Sequence, residues 1–250
     1  MKRPKRAILD GDIIMYRASY WADTEGVEYL DERLEKDIKD WTPEGVDEVI
    51  VALSTPRAKN WRRQVWPKYK EQRDDRPEPD SKTICKEIIV DNFSVRCVET
   101  LEADDLMGMG QSSGWAISVT IDKDLISVPG WLWNPHKDDG AAEISEVDAD
   151  FAFYRQWMMG DMTDNIPGLW KVGPKKAEKF LNSHDKDEWD ELIMDMYALE
   201  TRPEDKQPGM DRAAFGHAMA QCVRILRKGE YDPKTKEVKL WYPEITGVGA

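Results

Sequence analysis

The sequence predicts an α/β fold, a mostly parallel sheet with flanking helices, continued by a second, helical region. Three observations carry that prediction. Short Val- and Ile-rich runs alternate with helical patterns through the first half of the chain. Each run leads into polar residues, many of them acidic. From about residue 150 onward, helical patterns follow one another until a short apolar tail.

The strand runs lie at 7–9, 48–53, 93–98, 116–121 and 125–128. They are brief and bounded by polar residues, as buried parallel strands are. Helical patterns over 28–40, 81–92 and 103–111 separate them, which suits crossover connections. In the second region 151–159 reads as an apolar helix. Pro174 suits a first helical turn, with the helix running on through 181. Further helices are expected near 188–199 and 212–228, a loop over 202–209 and a short strand over 237–241. The change of pattern divides the chain into 1–148 and 149–250.

The chain has 250 residues, 40% of them hydrophobic and 11 of them Trp, so it has ample apolar surface to bury and is not disordered. Lys and Arg number 36 against 49 Asp and Glu, a net charge of −13. Taken in bulk, that acidity argues against nucleic acid, whose phosphates ask for a basic footprint. The placement of the charges argues otherwise. Cys85, Cys97 and Cys222 form no CxxC pair and suit a reducing cytoplasm. No stretch of about 18 apolar residues occurs, so no membrane span is expected. Asp10 and Asp12 interrupt the run after the basic N-terminus, so no signal peptide is expected either.

In open α/β sheets, ligands bind beyond the carboxyl ends of the strands. The predicted strands deliver Asp10, Asp12, Glu102, Asp104, Asp105, Asp122 and Asp124 to that edge. Each alone reads as a helix cap or turn residue. Clustered at three strand ends, they would repel one another unless cations sat between them. Donors that are all oxygen select Mg²⁺ or Mn²⁺, and His136, His184 and His217 are not spaced as zinc ligands. Two such ions about 4 Å apart activate a water and neutralise the leaving oxygen of a phosphodiester. Asp161 and Asp164, spaced i, i+3, can point the same way; a surface turn is the ordinary reading of GD and DN, and the segment after them weakens it. The segment that follows has a glycine-bearing turn and then a helix whose first N–H groups suit phosphate, beside Lys171, Lys175, Lys176 and Lys179.

Between Arg57 and Arg76 the chain carries eight Lys or Arg against Glu71, Asp74 and Asp75, a local charge of +5. A solvated helix face is the ordinary reading of such a run. Trp61, Trp66 and Tyr69 interleave with the cations, which suits stacking of single-stranded bases.

In chain order, ILDGDIIMYRAS, WRRQVWPKYKEQR, LEADDLMG, TIDKDL and GDMTDNIPGLWKVGPKKAEKFL resemble the flap endonuclease / 5′–3′ exonuclease superfamily, above all its phage-encoded 5′–3′ exonucleases. The resemblance runs from Ala7 to about Leu181, and ILRKGEYD with KEVKLW is similar as well. It implies a PIN-like core with a reduced arch at about 62–92, and a helix–3-turn–helix over 159–181 that grips duplex DNA. It implies one metal site at Asp10, Glu102 and Asp104 with Asp105 close by, and a second at Asp122, Asp124, Asp161 and Asp164. Lys70 and Arg62 are implied as cations at the scissile phosphate, acting with the ligands Asp104 and Asp122. DNA contacts fall to Tyr16, Arg17, Arg63, Tyr69, Arg73, Lys171, Gly173, Lys175 and Lys176. The ions implied are two Mg²⁺ or Mn²⁺, with K⁺ in the helix–3-turn–helix. The implied substrate is DNA with a 5′ end, nick or flap, or an RNA–DNA hybrid, cut by a cytoplasmic monomer to leave 5′-phosphates.

One departure stands out. Relatives carry an aspartate at the end of the second core strand, where this chain reads Val51-Ala52-Leu53-Ser54-Thr55-Pro56. Asp12 is the candidate replacement. A flap-binding protein with a weakened metal site and a PIN-type ribonuclease are the alternative readings.

Overall fold

The computed structural model describes residues 2–203 and 207–244. It divides into two compact units, each assembled from separate stretches of chain. The first takes the residues up to Asn60, Asp75–Ala149 and Ile225–Glu237. The second takes Trp61–Asp74, Asp150–Arg224 and the residues from Val238. The division near 148 is thus crossed twice, because much of the basic strip packs within the second unit and 225–237 returns to the first.

Among the described residues the strands are, in chain order, β1 (Arg6–Asp10), β2 (Glu48–Leu53), β3 (Val95–Cys97), β4 (Ile117–Val119), β5 (Gly130–Trp133), β6 (Ala142–Ile144), β7 (Tyr231–Asp232) and β8 (Glu237–Val238). The helices are α1 (Gly11–Glu25), α2 (Leu30–Asp40), α3 (Arg62–Val65), α4 (Lys82–Asn92), α5 (Ala103–Ser112), α6 (Glu146–Met159), α7 (Pro174–Leu181), α8 (Trp189–Leu199) and α9 (Arg212–Val223).

The first unit is built on a six-stranded sheet in the order β3-β2-β1-β4-β5-β6. Pairing is parallel through β5, and only β6 runs antiparallel. In register, Ile8 of β1 faces Ile50 on one side and Ser118 on the other. Buried Ala7 and Leu9 on β1, with Val51 and Leu53 on β2, pack against Ile14, Met15 and Ala18 of α1 and Leu30 and Leu34 of α2. That burial on both faces explains the continuous apolar runs seen in the sequence.

α1 was not among the expected helices. It starts directly where β1 ends, with Asp10 as its N-cap, so no loop composition announces it. Its first residue must be glycine: a Cβ at Gly11 would lie 2.4 Å from the Ala52 carbonyl oxygen. Nor is 125–128 a strand. Asp124–Ser127 forms a 3₁₀ turn, closed by Ser127 Oγ donating to the Asp124 carbonyl at 2.7 Å, and the strand follows at Gly130–Trp133. The helix expected over 212–228 stops at Val223, and the expected tail strand shrinks to Glu237–Val238, paired with Tyr231–Asp232. Residues 204–206 of the expected 202–209 loop lie outside the described residues.

The second unit packs α3, most of α6, and α7–α9 around Phe153, Trp157, Tyr197 and Phe215. Trp66 and Tyr69 join this core, and Trp66 meets Phe215 edge-on at 5.7 Å. Trp61, too, is buried. The three aromatics expected to stack bases are therefore packing residues: rings this size bury more apolar surface than any neighbour in the strip. Among the described residues, no helix is long and apolar enough to cross a membrane, and all three cysteines are free thiols.

Candidate functional site

The strand order reverses between β1 and β4, and the crevice beyond their carboxyl ends is where the acids gather. Asp10 ends β1 and is 3% exposed. Thr120, just past β4, donates its hydroxyl to Asp10 Oδ2 at 2.7 Å, and the Ile13 N–H donates to Oδ1 at 3.1 Å. Burial above all, then the charges of Asp12 and Asp122, push the Asp10 carboxyl up to about 7. The turn beyond β4 hangs from the same threonine. The Asp122 N–H donates to Thr120 Oγ1 at 2.9 Å, and the Asp124 N–H to Asp122 Oδ1 at 2.9 Å.

On the β2 side, the Ser54 N–H donates to Asp12 Oδ1 at 3.2 Å, while Ser54 Oγ accepts from the Ala103 N–H at 2.9 Å. Asp12 therefore reaches the end of the strand that lacks an acid, and Ser54 ties it to the first turn of α5. Glu102 is the N-cap of α5, and Asp104 is half-buried on that helix's first turn. Asp105 is fully buried, and its oxygens accept from the Glu102 N–H at 3.2 Å and the Leu226 N–H at 3.3 Å. It caps the first turn of α5 and also fastens 225–237 to the sheet.

The donors at this edge are carboxylate oxygens with hydroxyls behind them, the set a hard divalent cation takes. Asp10, crowded by two neighbouring acids, is a group whose ionisation such a cation would favour. Among the described residues, no three His, Cys, Asp or Glu are already drawn close enough to enclose an ion. The fit is one of donor chemistry, with side-chain rotation needed to close a coordination shell.

The second unit holds Asp161 and Asp164. The Asp161 and Ile166 backbones pair, N–H to carbonyl, at 2.7 and 2.8 Å. Gly160 (φ +68°) and Gly168 (φ +59°) make this crossing possible, since a Cβ on Gly160 would lie 2.0 Å from the Ile166 carbonyl oxygen. Asp161 Oδ1 accepts from the Thr163 N–H at 2.7 Å, bracing the turn. Asp164 faces cations: Lys70 Nζ lies 3.4 Å away, and Arg73 donates to the other carboxylate oxygen. The segment around them is joined to the loop by further bonds. The Lys70 N–H donates to the Asp164 carbonyl at 2.9 Å. Gln72 reaches the Thr163 carbonyl at 2.7 Å, Asn165 the Lys68 carbonyl at 2.7 Å, and the Trp66 indole the Asn165 carbonyl at 2.9 Å. Lys70 itself sits at φ +53°, a backbone state a lysine adopts only when its surroundings impose it.

Arg62 is buried, and its guanidinium donates to the carbonyls of Cys222 at 3.1 Å and Arg224 at 2.6 Å, which ties it to the end of α9. Tyr69 is buried in the aromatic core with its hydroxyl 3.5 Å from Asp164. Arg63 Nη2 donates to both carboxylate oxygens of Asp74, at 2.7 and 2.9 Å.

After Gly168 the chain turns through Lys171 (φ +58°) and Gly173, the N-cap of α7, into Pro174. Lys171, Lys175 and Lys176 are exposed there. The turn is clamped from behind: Arg202 donates to the Gly168 carbonyl, and the Trp170 N–H donates to Glu200 Oε2 at 2.7 Å. The Gly168 carbonyl thus already serves a guanidinium. In the first unit, Tyr16 Oη meets Glu78 at 3.0 Å and Lys82 at 2.8 Å, and Arg17 lies 3.1 Å from His136 Nε2. The sequence reading missed Thr120, Ser54, Asn165 and the Glu200–Arg202 clamp. Only Thr120, two residues before an aspartate in a strand-to-turn stretch, offered a signal.

No protein-family model matches the chain. It is 26% identical over 139 residues to flap endonuclease Xni of Shewanella oneidensis, a match covering 50% of this chain and 53% of that protein. It is 30% identical over 145 residues to DNA polymerase I of Rhizobium leguminosarum, covering 51% of this chain and 14% of that protein. The chain thus matches about half the length of one relative and a small part of the other. Among solved structures, the bacteriophage T5 flap endonuclease, captured as a pseudo-enzyme–product complex with DNA and metal ions, aligns with a TM-score of 0.61 at 16% identity. That alignment covers 87% of this chain and 88% of the phage chain. The T5 5′-exonuclease with bound zinc aligns with a TM-score of 0.59 at 16% identity, over 87% of each chain. The fold is the PIN-like fold of these nucleases.

Proposed function

We propose that this chain is a metal-dependent nuclease of the flap endonuclease / 5′–3′ exonuclease kind. It hydrolyses phosphodiesters of duplex DNA near a 5′ end, nick or flap, acts on RNA–DNA hybrids too, and leaves 5′-phosphates, working as a cytoplasmic monomer. The observation that carries this reading is the grouping of Asp10, Asp12 and Asp122 at the switch point of the sheet, with Asp10 held by Thr120 and its carboxyl pushed up by burial first and then by the charges of its neighbours.

Asp10, Asp12, Glu102, Asp104, Asp122 and Asp124 would hold Mg²⁺ or Mn²⁺, with Asp161 and Asp164 as further candidate ligands. When bound, such ions activate water and neutralise the leaving oxygen. The chain's own residues supply orientation and charge. Thr120 fixes the direction of the Asp10 carboxyl, and Ser54 fixes that of Asp12. Lys70, held by Asp164, offers a nearly desolvated ammonium to a scissile phosphate, where charge stabilisation is strongest. Arg73 adds a second cation. Lys171, Lys175, Lys176 and the first N–H groups of α7 from Gly173 would grip the duplex backbone, contacts that position DNA without reading sequence. Arg17 and Tyr16 would meet the terminal nucleotide, with Arg63 farther along the strand.

Labelled 5′-flap and nicked duplexes, incubated with Mg²⁺ or with EDTA, test the reading. Cleavage in Mg²⁺ that EDTA abolishes supports it, and cleavage that survives EDTA overturns it. A flap-binding protein with a weakened metal site is the second reading, favoured by the missing acid at Ser54 and by the open carboxylate arrangement. Tight flap binding without turnover in Mg²⁺ or Mn²⁺ would select it.

A further inference from the structure

Glu78 stands in an unusual place. Its Oε1 accepts from the Tyr16 hydroxyl at 3.0 Å, from Lys82 Nζ at 2.5 Å and from Arg57 Nη2 at 3.2 Å. Lys82 also donates to Tyr16 Oη at 2.8 Å and lies 4.7 Å from the ring centroid. Three donors from β2's outgoing loop, α1 and α4 thus converge on one carboxylate oxygen. All belong to the first unit.

The sequence around Glu78 presents it stiffly. Pro77 and Pro79 bracket it, fixing φ on either side and holding Glu78 itself extended. The chain is then pinned just beyond, where Asp23 accepts from the N–H groups of Asp80 at 3.0 Å and Ser81 at 2.8 Å. The Glu78 side chain is nonetheless 46% exposed, against 30% for Arg57 and 24% for Lys82. A charged group that is rigidly presented, yet free to leave outward, behaves as a resident anion.

We infer that Tyr16, Arg57 and Lys82 form a receptor for a terminal phosphate monoester, and that Glu78 occupies it until a phosphate displaces it. A monoester brings three terminal oxygens where the carboxylate uses one, so each donor gains its own acceptor. Arg and Lys are the side chains suited to it, Arg57 through its fork and Lys82 as a point charge. The inference rests on the nuclease reading for its natural ligand, the 5′-phosphate of a DNA strand. Glu78 then acts as a filter, because an end without phosphate competes poorly with the resident carboxylate.

The test has two arms. In the first, inorganic phosphate is titrated into the wild type, Glu78→Gln and the double variant Arg57→Gln/Lys82→Gln, followed by ³¹P line broadening. Glu78→Gln should bind phosphate about tenfold more tightly, the worth of one charge-assisted hydrogen bond, and the double variant should lose binding. In the second, a duplex with a recessed 5′-phosphate and its 5′-hydroxyl twin are compared by anisotropy with Ca²⁺ in place of Mg²⁺, and by cleavage with Mg²⁺. The phosphate-over-hydroxyl preference should rise in Glu78→Gln and vanish in the double variant. Unchanged phosphate affinity in Glu78→Gln overturns the receptor. Phosphate binding with no end preference overturns its assignment to DNA ends and marks a free-phosphate site. Phosphate binding as expected, but no cleavage of either duplex by the wild type, overturns the nuclease reading while the receptor stands.

Discussion

Lys70 and Asp164 hold each other twice, the ammonium 3.4 Å from the carboxylate and the Lys70 N–H 2.9 Å from the Asp164 carbonyl. The side chains are only 11% and 17% exposed, so water screens the pair little. A lysine from the basic strip and an acid from the glycine-braced turn are thereby fixed as one unit. Asp164→Asn should lower stability by about 1–3 kcal/mol, since it leaves a nearly buried ammonium without its carboxylate. It should also lower kcat more than it raises KM. Urea unfolding checks the first effect and steady-state cleavage the second. A change in KM alone contradicts a role for the pair at the reacting phosphate.

Asp10 supplies a pH prediction. Its folded pKa, about 7, lies above the unfolded value near 3.8, so the folded state binds the proton more tightly. The stability this confers is complete below the unfolded value and is lost as pH rises through the folded one. Without metal, Asp10→Asn should therefore gain on the wild type across about pH 4 to 7, reaching on the order of 4 kcal/mol above that range. Mg²⁺ should close the gap by stabilising only the wild type. Urea midpoints for both proteins in EDTA, at about pH 5 and about pH 8, read the difference. A gap independent of pH contradicts the assignment.

Asp12 reaches the end of β2 through the Ser54 N–H at 3.2 Å. If it replaces the absent acid, Asp12→Asn should raise the Mg²⁺ needed for half-maximal cleavage by about tenfold or more. Thr120→Val, which removes the hydroxyl that orients Asp10, should act in the same direction. A Mg²⁺ titration that superposes on the wild type denies Asp12 that part.

The lysines ahead of and within α7 should matter for affinity and hardly for sequence. Lys175→Gln with Lys176→Gln should weaken duplex binding equally across unrelated sequences. It should also make the slope of log K against log salt shallower by about 1.8, two phosphate contacts' worth. Anisotropy titrations over a salt series measure both. An unchanged slope means these side chains do not touch phosphate.

Much of the sheet was legible because β1 and β2 are buried on both faces and so read as unbroken apolar runs. Asp10 at the end of β1, and the lack of an acid at the end of β2, were legible for the same reason, strand ends being easy to find. α1 was hidden because it opens on the strand's last residue, and β5 was displaced because a 3₁₀ turn carries the same apolar residues as a strand. The basic strip misled most. Its pattern of cations and aromatics is identical whether the rings face water or a core. The deciding partners, Phe215 for Trp66 and the Cys222 and Arg224 carbonyls for Arg62, lie far along the chain, 160 and 162 residues away in the case of Arg62. The partner of Asp105, the Leu226 N–H, was hidden similarly, since it comes from a stretch that folds back onto the sheet.

The central claim is that the acids at the β1–β4 switch point perform the chemistry, separately from the residues that hold DNA. Asp122→Asn/Asp124→Asn isolates that claim when cleavage and affinity for one 5′-flap duplex are measured side by side. Mg²⁺-dependent cleavage should be lost while the Kd for the flap, read with Ca²⁺ in place of Mg²⁺, stays within about threefold of the wild type. Cleavage at the wild-type rate would contradict it.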